Sequence, residues 1–473
     1  MLGCLAFLPQ MQALSTTPDG CYPNSTTAEG CKALQSLTNG VANTGIGWYS
    51  LFGTTSGRFN TAVGAGALDL NTADNNTAVG VAALLLNTTG TNNTANGTGA
   101  LVFNNTAEEN TATGAFAMYS NTEGNFNTAN GAFALLANTT GERNTGTGNS
   151  AMFSNTTGSR NTANGNAALG FNTAGDDNTA IGAAALFSNT ADDNTAIGAD
   201  ALSANTTGDF NTALGAAALE NFETGSNNTA TGTNALFGST SGFGNTAAGS
   251  NALFTSTTDS HNTAIGFNAL FVVNGGDDNV GLGSNAGSAL LTGGGNVYIG
   301  ADIAGVTSEN NHTYIRNINT TTVSGGGTDT VTINLATGLL GHLSSSRRYK
   351  EGIKSMDRAS EALYRLKPVS YRYKKEIDST QSPAFGLIAE EVAEVNSALV
   401  ARNSKGQPES VHYEMVNAML LNEFLKEHRT VQAQQEEIDA LKQELKDQRA
   451  LIEKVTARIG LDKAEPQLVM DKL

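Results

Sequence analysis

Residues 161–210 read NTANGNAALGFNTAGDD, NTAIGAAALFSNTADD and NTAIGADALSANTTGDF, three successive copies of one short unit. Each copy starts with Asn-Thr-Ala, has Gly at its fifth position and carries Ala-Leu at its eighth and ninth. The step between copies is 17 residues, or 16 in two cases. A unit this short cannot bury a core alone, whereas stacked copies bury a continuous one. The stretch therefore predicts a solenoid in which each copy forms one coil.

The same unit recurs over most of the chain. A degenerate copy near Thr26 brings the total to about seventeen copies, and the phase is lost after Ile303. The fold class expected is mainly β, a long parallel β-roll or β-solenoid over residues 26–303. The first residues of the copies are Asn43, Asn60, Asn76, Asn93, Asn110, Asn127, Asn144, Asn161, Asn178, Asn194, Asn211, Asn228, Asn245, Asn262, Asn279 and Asn296.

Each conserved position of the unit suggests a role in a stacked coil. The Ala-Leu pair, such as Ala185–Leu186, gives each coil a small apolar filling, and a Gly such as Gly182 permits a bend. The first Asn is expected to form a ladder along the axis, each amide bonding the next coil. Many Asn-x-Thr triplets also match the glycosylation acceptor pattern, but their strict period favours ladder and turn roles.

Composition and charge divide the chain into two parts. The 473 residues include 54 Gly and only 7 Pro, and no proline lies between Pro23 and Pro368, as a stacked sheet requires. Residues 1–343 hold 5 Lys and Arg against 22 Asp and Glu, whereas residues 344–473 hold 21 of each. The formal charge of −17 therefore belongs to the N-terminal part of the chain, and it disfavours nucleic acid or anionic lipid as a partner.

The N-terminus resembles the end of a secretory signal peptide. Residues 1–13 (MLGCLAFLPQMQA) are apolar and finish in a small residue suited to cleavage, and the alternative is a disordered apolar terminus. Removal of this peptide takes Cys4 with it, and Cys21 and Cys31 are then able to pair in an oxidising compartment. We expect an extracellular, cell-surface or virion location and no membrane span, since no stretch is long and apolar enough.

After the repeats the pattern changes twice. Residues 312–341 alternate apolar and polar positions around a Gly-rich turn at 325–327, which predicts a β-rich connector over residues 304–344. From residue 345 to 410 the sequence is that of a small α/β domain. Its expected elements are a helix at 357–367, a strand at 369–374, and a buried strand from Phe385 that runs into a helix by Val392.

A long helix closes the sequence. Over residues 411–460 the heptad count predicts a coiled coil, followed by a flexible tail at 461–473, and the alternative is a surface amphipathic helix. Polar Gln at two d positions suggests control of register or oligomeric state. Position a falls on Phe424, Val431, Ile438, Leu445, Ile452 and Ile459, and position d on Leu420, Glu427, Gln434, Leu441, Gln448 and Val455.

Two resemblances follow from these segments. The Asn-Thr-Ala-Ile-Gly runs at 178–182 and 194–198 are similar to the Asn-Ser-Val-Ala-Ile-Gly repeats of trimeric autotransporter adhesin heads, which implies a trimeric β-roll. The segment from about residue 344 to 445 resembles the C-terminal intramolecular chaperone domain of phage endosialidase tailspikes and tail fibres. Four blocks carry this second resemblance in order: SSRRYKEGI at 345–353, LKPVSYRYK at 366–374, FGLIAEEV at 385–392, and the terminal helix.

The second resemblance implies an autoprotease. In that family the domain trimerises, guides folding of the preceding fibre and cuts itself off at a Ser-Asp-x-x-x-Lys motif. Carried over, Ser345 is the nucleophile, Lys350 its base, and the cut falls between Ser345 and Ser346. This chain has Ser346 where the family has Asp, which puts the cleavage in question. Ser344 and Ser346 are other possible nucleophiles, and a solvated basic linker is the structural alternative.

The function expected is that of a trimeric fibre or adhesin-like surface protein with a self-removing, single-turnover Ser-Lys chaperone. Its partners are a homotrimer and a cell-surface or glycan receptor; no cofactor or metal is expected, because the five His and three Cys show no ligand spacing. One alternative is an uncleaved fibre with a permanent trimerisation domain. Another is a polysaccharide-degrading tailspike, but that enzyme predicts non-periodic carboxylate clusters, whereas the acidic pairs of this chain all fall at one repeat phase. An ice-binding ladder is a third, and it needs a flat face with two regular Thr columns.

Overall fold

The computed structural model describes residues 23–318, 331–335, 337, 339–342 and 344–461. The chain divides into two compact units, Met1–Thr321 and Thr322–Leu473. The predicted signal peptide at 1–13, with Cys4, and the predicted Gly-rich turn at 325–327 lie outside the described residues. So do Cys21 and residues 462–473 of the predicted tail, whereas Cys31 is described and exposed.

The first unit is a β-solenoid with one short strand per coil. Its strands pair in parallel, each with the strand of the next coil, and form one sheet of 18 strands, which confirms the predicted fold class. A 3-10 helix, Pro23–Ser25, precedes them. The strands are β1 Thr27–Glu29, β2 Thr44–Ile46, β3 Thr61–Val63, β4 Thr77–Val79, β5 Thr94–Asn96, β6 Thr111–Thr113, β7 Thr128–Asn130, β8 Thr145–Thr147, β9 Thr162–Asn164, β10 Thr179–Ile181, β11 Thr195–Ile197, β12 Thr212–Leu214, β13 Thr229–Thr231, β14 Thr246–Ala248, β15 Thr263–Ile265, β16 Val280–Leu282, β17 Val297–Ile299 and β18 Thr313–Ile315.

Small apolar side chains fill each coil. The middle residue of a strand, such as Ala180, points inward and is fully buried, as are Ala185 and Leu186 of the same coil. Leu186 has φ of 51°, so the backbone turns at a residue that seldom adopts this conformation. Gly182 has φ of 136°, and a Cβ there would lie 2.4 Å from the carbonyl oxygen of Gly198, so the column admits only glycine.

The first Asn of each unit closes its own coil and joins it to the next. Asn161 Nδ2 donates to the Gly175 carbonyl oxygen at 2.7 Å, and Asn161 Oδ1 accepts the Asn178 backbone N–H at 2.9 Å. A chain of bonds between side-chain amides also exists, at the twelfth position: Asn155 Nδ2 donates to Asn138 Oδ1 at 2.8 Å. The ladder predicted at position one therefore runs mainly from side chain to backbone. The side-chain oxygen of each Asn accepts the backbone N–H of the next Asn, which lies nearer to it than that residue's side-chain amide.

The solenoid extends beyond its predicted limit at Ile303. Strand β18 lacks the Asn-Thr-Ala pattern, yet it pairs with β17 because Tyr298 and Tyr314 replace the inward Ala and stack with ring centres 5.6 Å apart. Their hydroxyls donate to the two carboxylate oxygens of Glu309, at 2.6 and 2.7 Å. Burial alone would raise the pKa of Glu309, but these bonds and one from the Val306 N–H hold that pKa below its usual value.

The second unit contains short strands and one long helix. A hairpin of β19 Thr332–Ile333 and β20 Leu340–Gly341 falls within the predicted connector, and two further antiparallel pairs follow. None of the helices that the structure describes combines the length and apolar character needed to cross a membrane. The remaining elements are β21 Val369–Tyr371, β22 Ala384–Gly386, β23 Val400–Arg402, β24 Pro408–Val411, α1 Ala389–Val395, α2 Tyr413–Leu461, and the 3-10 helices Arg347–Tyr349, Asp357–Arg365 and Ser397–Leu399.

Two sequence predictions for this unit need correction. The helix predicted at 357–367 is a 3-10 helix, Asp357–Arg365. The strand predicted as buried from Phe385 is only half-buried in the single chain, and the Phe385 side chain itself is exposed, with 84% of its surface accessible. An apolar run marks a side chain that will be covered, but it does not say whether the cover comes from the same chain.

Replacing a ladder asparagine should destabilise the solenoid. We expect Asn161→Ala to lower the free energy of unfolding by about 1–3 kcal/mol, because the buried Asn178 N–H loses its partner, whereas the Gly175 carbonyl oxygen keeps its bond from Asn172 Nδ2 at 2.9 Å. Urea unfolding followed by circular dichroism measures this loss. Asn164→Ala is the matched control, because Asn164 lies on the same coil, points outward and is exposed. Equal effects of the two substitutions would contradict the proposed role of the ladder.

Candidate functional site

A small apolar core holds the second unit together. The buried members are Val392 of α1, Leu399, Val400 of β23, Val411 of β24 and Met419 of α2. The core therefore fixes the first two turns of α2 against the strands. Most of the remaining length of α2 has exposed side chains.

The predicted cleavage segment lies at the start of this unit. Ser346 is the N-cap of the 3-10 helix Arg347–Tyr349, and its Oγ accepts the Arg348 backbone N–H at 3.3 Å and Arg348 Nε–H at 3.2 Å. The Ser346 N–H in turn donates to Ser344 Oγ at 3.3 Å. Lys350 follows the helix, and its backbone N–H donates to the Arg347 carbonyl oxygen at 3.2 Å.

The predicted nucleophile and base are not joined in the single chain. Ser345 and Lys350 are both exposed, and no hydrogen bond links their side chains in the described segment 344–350. A lysine serves as a general base only when neutral, which requires removal from water. Ser346, where the resembled motif has Asp, is occupied as a helix cap. The single chain therefore presents the residues of the motif without the surroundings that the reaction needs.

A polar network that the sequence analysis missed joins the 3-10 helix Asp357–Arg365 to α2. Glu423 is nearly buried, and it accepts bonds from Lys426 Nζ at 2.6 Å, from the Ser360 hydroxyl, and from the Tyr364 hydroxyl at 2.8 Å. Asn422 Nδ2 donates to Ser360 Oγ at 2.6 Å. The charged Lys426, followed by the two hydroxyls, holds the pKa of Glu423 at about 2. No spacing rule links residues this far apart in sequence, so only the fold shows the network.

An open apolar groove of about 640 Å³ lies between the same 3-10 helix, β21, β22 and the start of α2. Leu363, Val369, Phe385 and Leu420 contribute its apolar wall. The Tyr413 hydroxyl crosses one end, where it accepts the Leu387 backbone N–H at 3.0 Å. Phe385 and Leu420 remain largely exposed, so the groove is an unfilled apolar surface of the single chain.

The apolar positions of the predicted heptads are also exposed. No second helix in the described part of the chain packs on the distal half of α2. Between 45% and 66% of each side chain surface is accessible at Leu420, Phe424, Val431, Ile438, Leu441, Leu445, Ile452, Val455 and Ile459. Exposed apolar stripes of this length are typical of surfaces that another chain covers.

Comparison with known families gives an identification for this unit. Residues 345–401 match the family described as chaperone of endosialidase. The match starts at Ser345, covers the first three of the four sequence blocks and confirms the resemblance inferred from them. No curated protein matches the chain. The chain thus carries a chaperone-of-endosialidase domain, hereafter the chaperone domain, preceded by a β-solenoid.

The acidic pairs of the solenoid are engaged in structure. Asp176 Oδ1 accepts the Ser159 backbone N–H at 2.8 Å, and Asp192 Oδ1 accepts the Asp176 N–H at 2.7 Å. Asp277 Oδ1 accepts the Ser260 N–H at 2.8 Å in the same manner. These carboxylates cap the backbone of the neighbouring coil. Within the described residues, no group of three or more His, Cys, Asp or Glu is arranged to hold a metal ion.

The Glu423 network should make the chaperone domain acid-sensitive. Because the folded state lowers the pKa of Glu423 from 4.5 to about 2, its contribution is present above about pH 4.5 and is lost as the pH falls towards 2. Urea unfolding of the domain between pH 2 and 6 should show this loss in the parent and a flatter profile in Glu423→Gln. The exposed Glu436→Gln is the control, and an unchanged profile in Glu423→Gln would contradict the assignment.

Proposed function

We propose that this protein is a fibre of the tail-fibre type, whose β-solenoid forms the shaft and whose chaperone domain brings three chains together and then cuts itself off after Ser345. The observation that carries the proposal is the long exposed apolar stripe on α2, attached to a domain of the chaperone-of-endosialidase family. The fibre is proposed to act outside the cell or on a virion, with a surface glycan or other receptor as its ligand.

Three parallel copies of α2 would cover the exposed stripe. Full burial of an exposed large apolar side chain contributes about 1.5–3 kcal/mol. The nine stripe positions are each about half exposed in the single chain, so each contributes part of this amount and together they supply a strong driving force for association. Aligning the chains at one point also helps the solenoids to form. Long-range pairing is slow to nucleate, and a preformed trimer raises the effective concentration of the three repeat regions.

With Ser345 as the nucleophile, the proposed cleavage is chemically reasonable only between chains. If Ser345 Oγ attacked the carbonyl carbon of its own residue, the product would be a four-membered ring with heavily strained bond angles. The hydroxyl of one chain's Ser345 has no such restriction when it attacks the Ser345 carbonyl carbon of a neighbouring chain. We therefore propose that the trimer cuts itself in trans.

The proton balance assigns Lys350 its role. Its neutral amine takes the proton of the attacking Ser345 hydroxyl, the peptide C–N bond breaks, and the resulting ammonium protonates the departing Ser346 amine. Water then hydrolyses the inter-chain ester, which leaves a carboxylate on Ser345 and restores the hydroxyl of its neighbour. Burial of Lys350 between assembled chains would favour its neutral form.

Intact mass after denaturation tests the cleavage. We expect the parent chain to yield a fragment that begins at Ser346, and Ser345→Ala and Lys350→Met to remain full length, because each variant lacks one half of the reacting pair. Arg347→Met is a matched control for Lys350→Met, since it removes a neighbouring basic side chain. A full-length parent would contradict self-cleavage and leave the chaperone domain as a permanent trimerisation domain.

Mixed trimers separate cleavage in trans from cleavage within one chain. Tagged Ser345→Ala chains retain their carbonyl group, so parent chains co-expressed with them should cut them at residue 345. If only the parent chains in such mixtures are cut, the inter-chain mechanism is wrong even though the autoprotease stands.

The stripe on α2 should control assembly. We expect Ile438→Lys to weaken or abolish the trimer, because each chain then forfeits about 1.5–3 kcal/mol of burial and places a charge in the interface. Light scattering coupled to size exclusion measures the mass of the assembly. Gln443→Lys adds the same charge on the opposite face of the helix and should leave the trimer intact, whereas a trimer that survives Ile438→Lys unchanged would contradict the coiled coil.

A further inference from the structure

One coil of the solenoid carries a cluster of three aromatic rings. In the unit that begins at Asn43, Trp48, Tyr49 and Phe52 occupy the sixth, seventh and tenth positions, and no other unit has aromatic residues at all three. The ring centres of Trp48 and Tyr49 lie 4.3 Å apart, and those of Tyr49 and Phe52 lie 4.7 Å apart. Trp48 is the single tryptophan of the 473-residue chain. We call Trp48, Tyr49 and Phe52 the aromatic platform.

The aromatic platform is open to solvent. The Trp48 side chain has 59% of its surface accessible, and Tyr49 and Phe52 are half-buried. The planes of the Trp48 and Tyr49 rings cross at 63°, so Tyr49 does not stack over the indole. A contiguous exposed aromatic surface of this kind is typical of a site that a ligand or partner covers.

Two opposite charges border the platform along the solenoid axis. Lys32 occupies the seventh position of the preceding unit, and its Nζ donates to the Tyr49 hydroxyl. Asp69 occupies the tenth position of the following unit, and the Gly53 N–H donates to the Asp69 carbonyl oxygen at 2.6 Å, which places Asp69 beside Phe52. Because successive coils lie about 4.8 Å apart, an ammonium and a carboxylate lie about one coil away on either side of the rings.

The Asp69 carboxylate lacks a partner within the described chain. Its Oδ1 is shielded from solvent and accepts no hydrogen bond, and burial raises the pKa of Asp69. The tenth position is apolar on both neighbouring coils, where Phe52 and Leu85 stand. Other solenoid carboxylates are bonded, as Asp176 is to the Ser159 N–H. A carboxylate in this setting destabilises the coil and gains from a hydroxyl donor that reaches its Oδ2.

We propose that the aromatic platform, Lys32 and Asp69 together bind one ring of a neutral glycan chain built of glucose-like or galactose-like sugars. The C–H groups of such a ring form an apolar face, which lies on the open indole of Trp48. Its hydroxyls accept a bond from Lys32 and donate one to Asp69, so both charges are satisfied at once. The inference rests on the glycan receptor proposed above for the fibre and gives that receptor a site on the chain.

Charge disfavours a second copy of this chain as the occupant. Two solenoids that met in register at the platform would bring Lys32 against Lys32 and Asp69 against Asp69, and like charges repel. A purely apolar partner is equally unsuited, since it would bury both charges without hydrogen bonds. A sugar avoids both penalties because each hydroxyl both donates and accepts.

Charged ligands are disfavoured as well. Aromatic clusters attract quaternary ammonium groups, but Lys32 Nζ already lies 4.6 Å from the centre of the Tyr49 ring and repels a second cation. An anionic chain meets the acidic solenoid, since the region up to residue 343 carries the formal charge of −17. A neutral glycan is the class of ligand that meets neither objection.

The single tryptophan makes the site its own reporter. We expect cellohexaose, the matching galactose hexamer, or both to change the emission of Trp48 in the full-length chain, in a manner that saturates with sugar concentration. Acrylamide should quench this emission efficiently without sugar and poorly with it, because the stacked sugar ring then covers the indole. Isothermal titration calorimetry with the same two hexamers gives the affinity of each variant.

Two variants separate binding from structure. Asp69→Leu should make the chain more resistant to urea, because it replaces an unpartnered carboxylate by the residue found at Leu85, yet it should weaken sugar binding by about tenfold or more. A structural role for Asp69 predicts the opposite effect on stability. Phe52→Ala should also weaken binding. Phe210→Ala is the control, since Phe210 is as exposed as Trp48 but stands on a distant coil.

The measurements distinguish failure of the site from failure of the fibre. Saturable binding that Asp69→Leu and Phe52→Ala weaken, and Phe210→Ala does not, supports the site. Absence of binding to both hexamers, binding that survives Asp69→Leu and Phe52→Ala unchanged, or equal losses in all three variants overturns it. So does a Trp48 that acrylamide cannot reach in the sugar-free chain, because another chain then covers the platform. Light scattering on the same samples tests the assembly: a monomer that binds sugar contradicts the trimer alone, whereas a trimer that does not bind contradicts the glycan site alone.

Discussion

The solenoid depends on one repeated interaction, the buried asparagine that bonds its own coil through Nδ2 and the following coil through Oδ1. Asn161 shows the pattern, with Gly175 on one side and Asn178 on the other. Because each coil contributes only a three-residue strand, the strand ladder alone fixes little of the path. The asparagine sets where the coil closes and at what level the next one begins. The glycine column and the inward Ala and Leu residues then have fixed places to occupy.

This register has consequences for both ends of the protein. At the C-terminal end of the sheet the interior changes from Ala to Tyr298 and Tyr314, and Glu309 receives both hydroxyls, so the last coil is closed by a polar group that is fully bonded. Along the sheet the strict register lines up the first and third strand residues into continuous columns.

The chaperone domain follows the opposite principle, since its single chain leaves its most apolar surfaces open. Phe385, Leu420 and the heptad positions of α2 are exposed, while Glu423 and its partners fix the 3-10 helix Asp357–Arg365 onto α2. The predicted Ser345 and Lys350 are likewise exposed and unconnected. Assembly is therefore proposed as the event that completes both the apolar core and the reactive pair, which would couple cleavage to correct folding.

The sequence by itself determined the repeat length, the parallel stacking, the inward Ala-Leu pair and the family of the chaperone domain, because a period of 16 or 17 residues leaves few ways to bury a side chain. It also predicted the long helix. Only the tertiary structure decided that the sheet runs on to Ile315, that Leu186 adopts a positive φ, that Phe385 is exposed and that Glu423 meets Ser360 and Tyr364. These features depend on contacts between residues distant in sequence, whose local patterns do not specify which partner they meet.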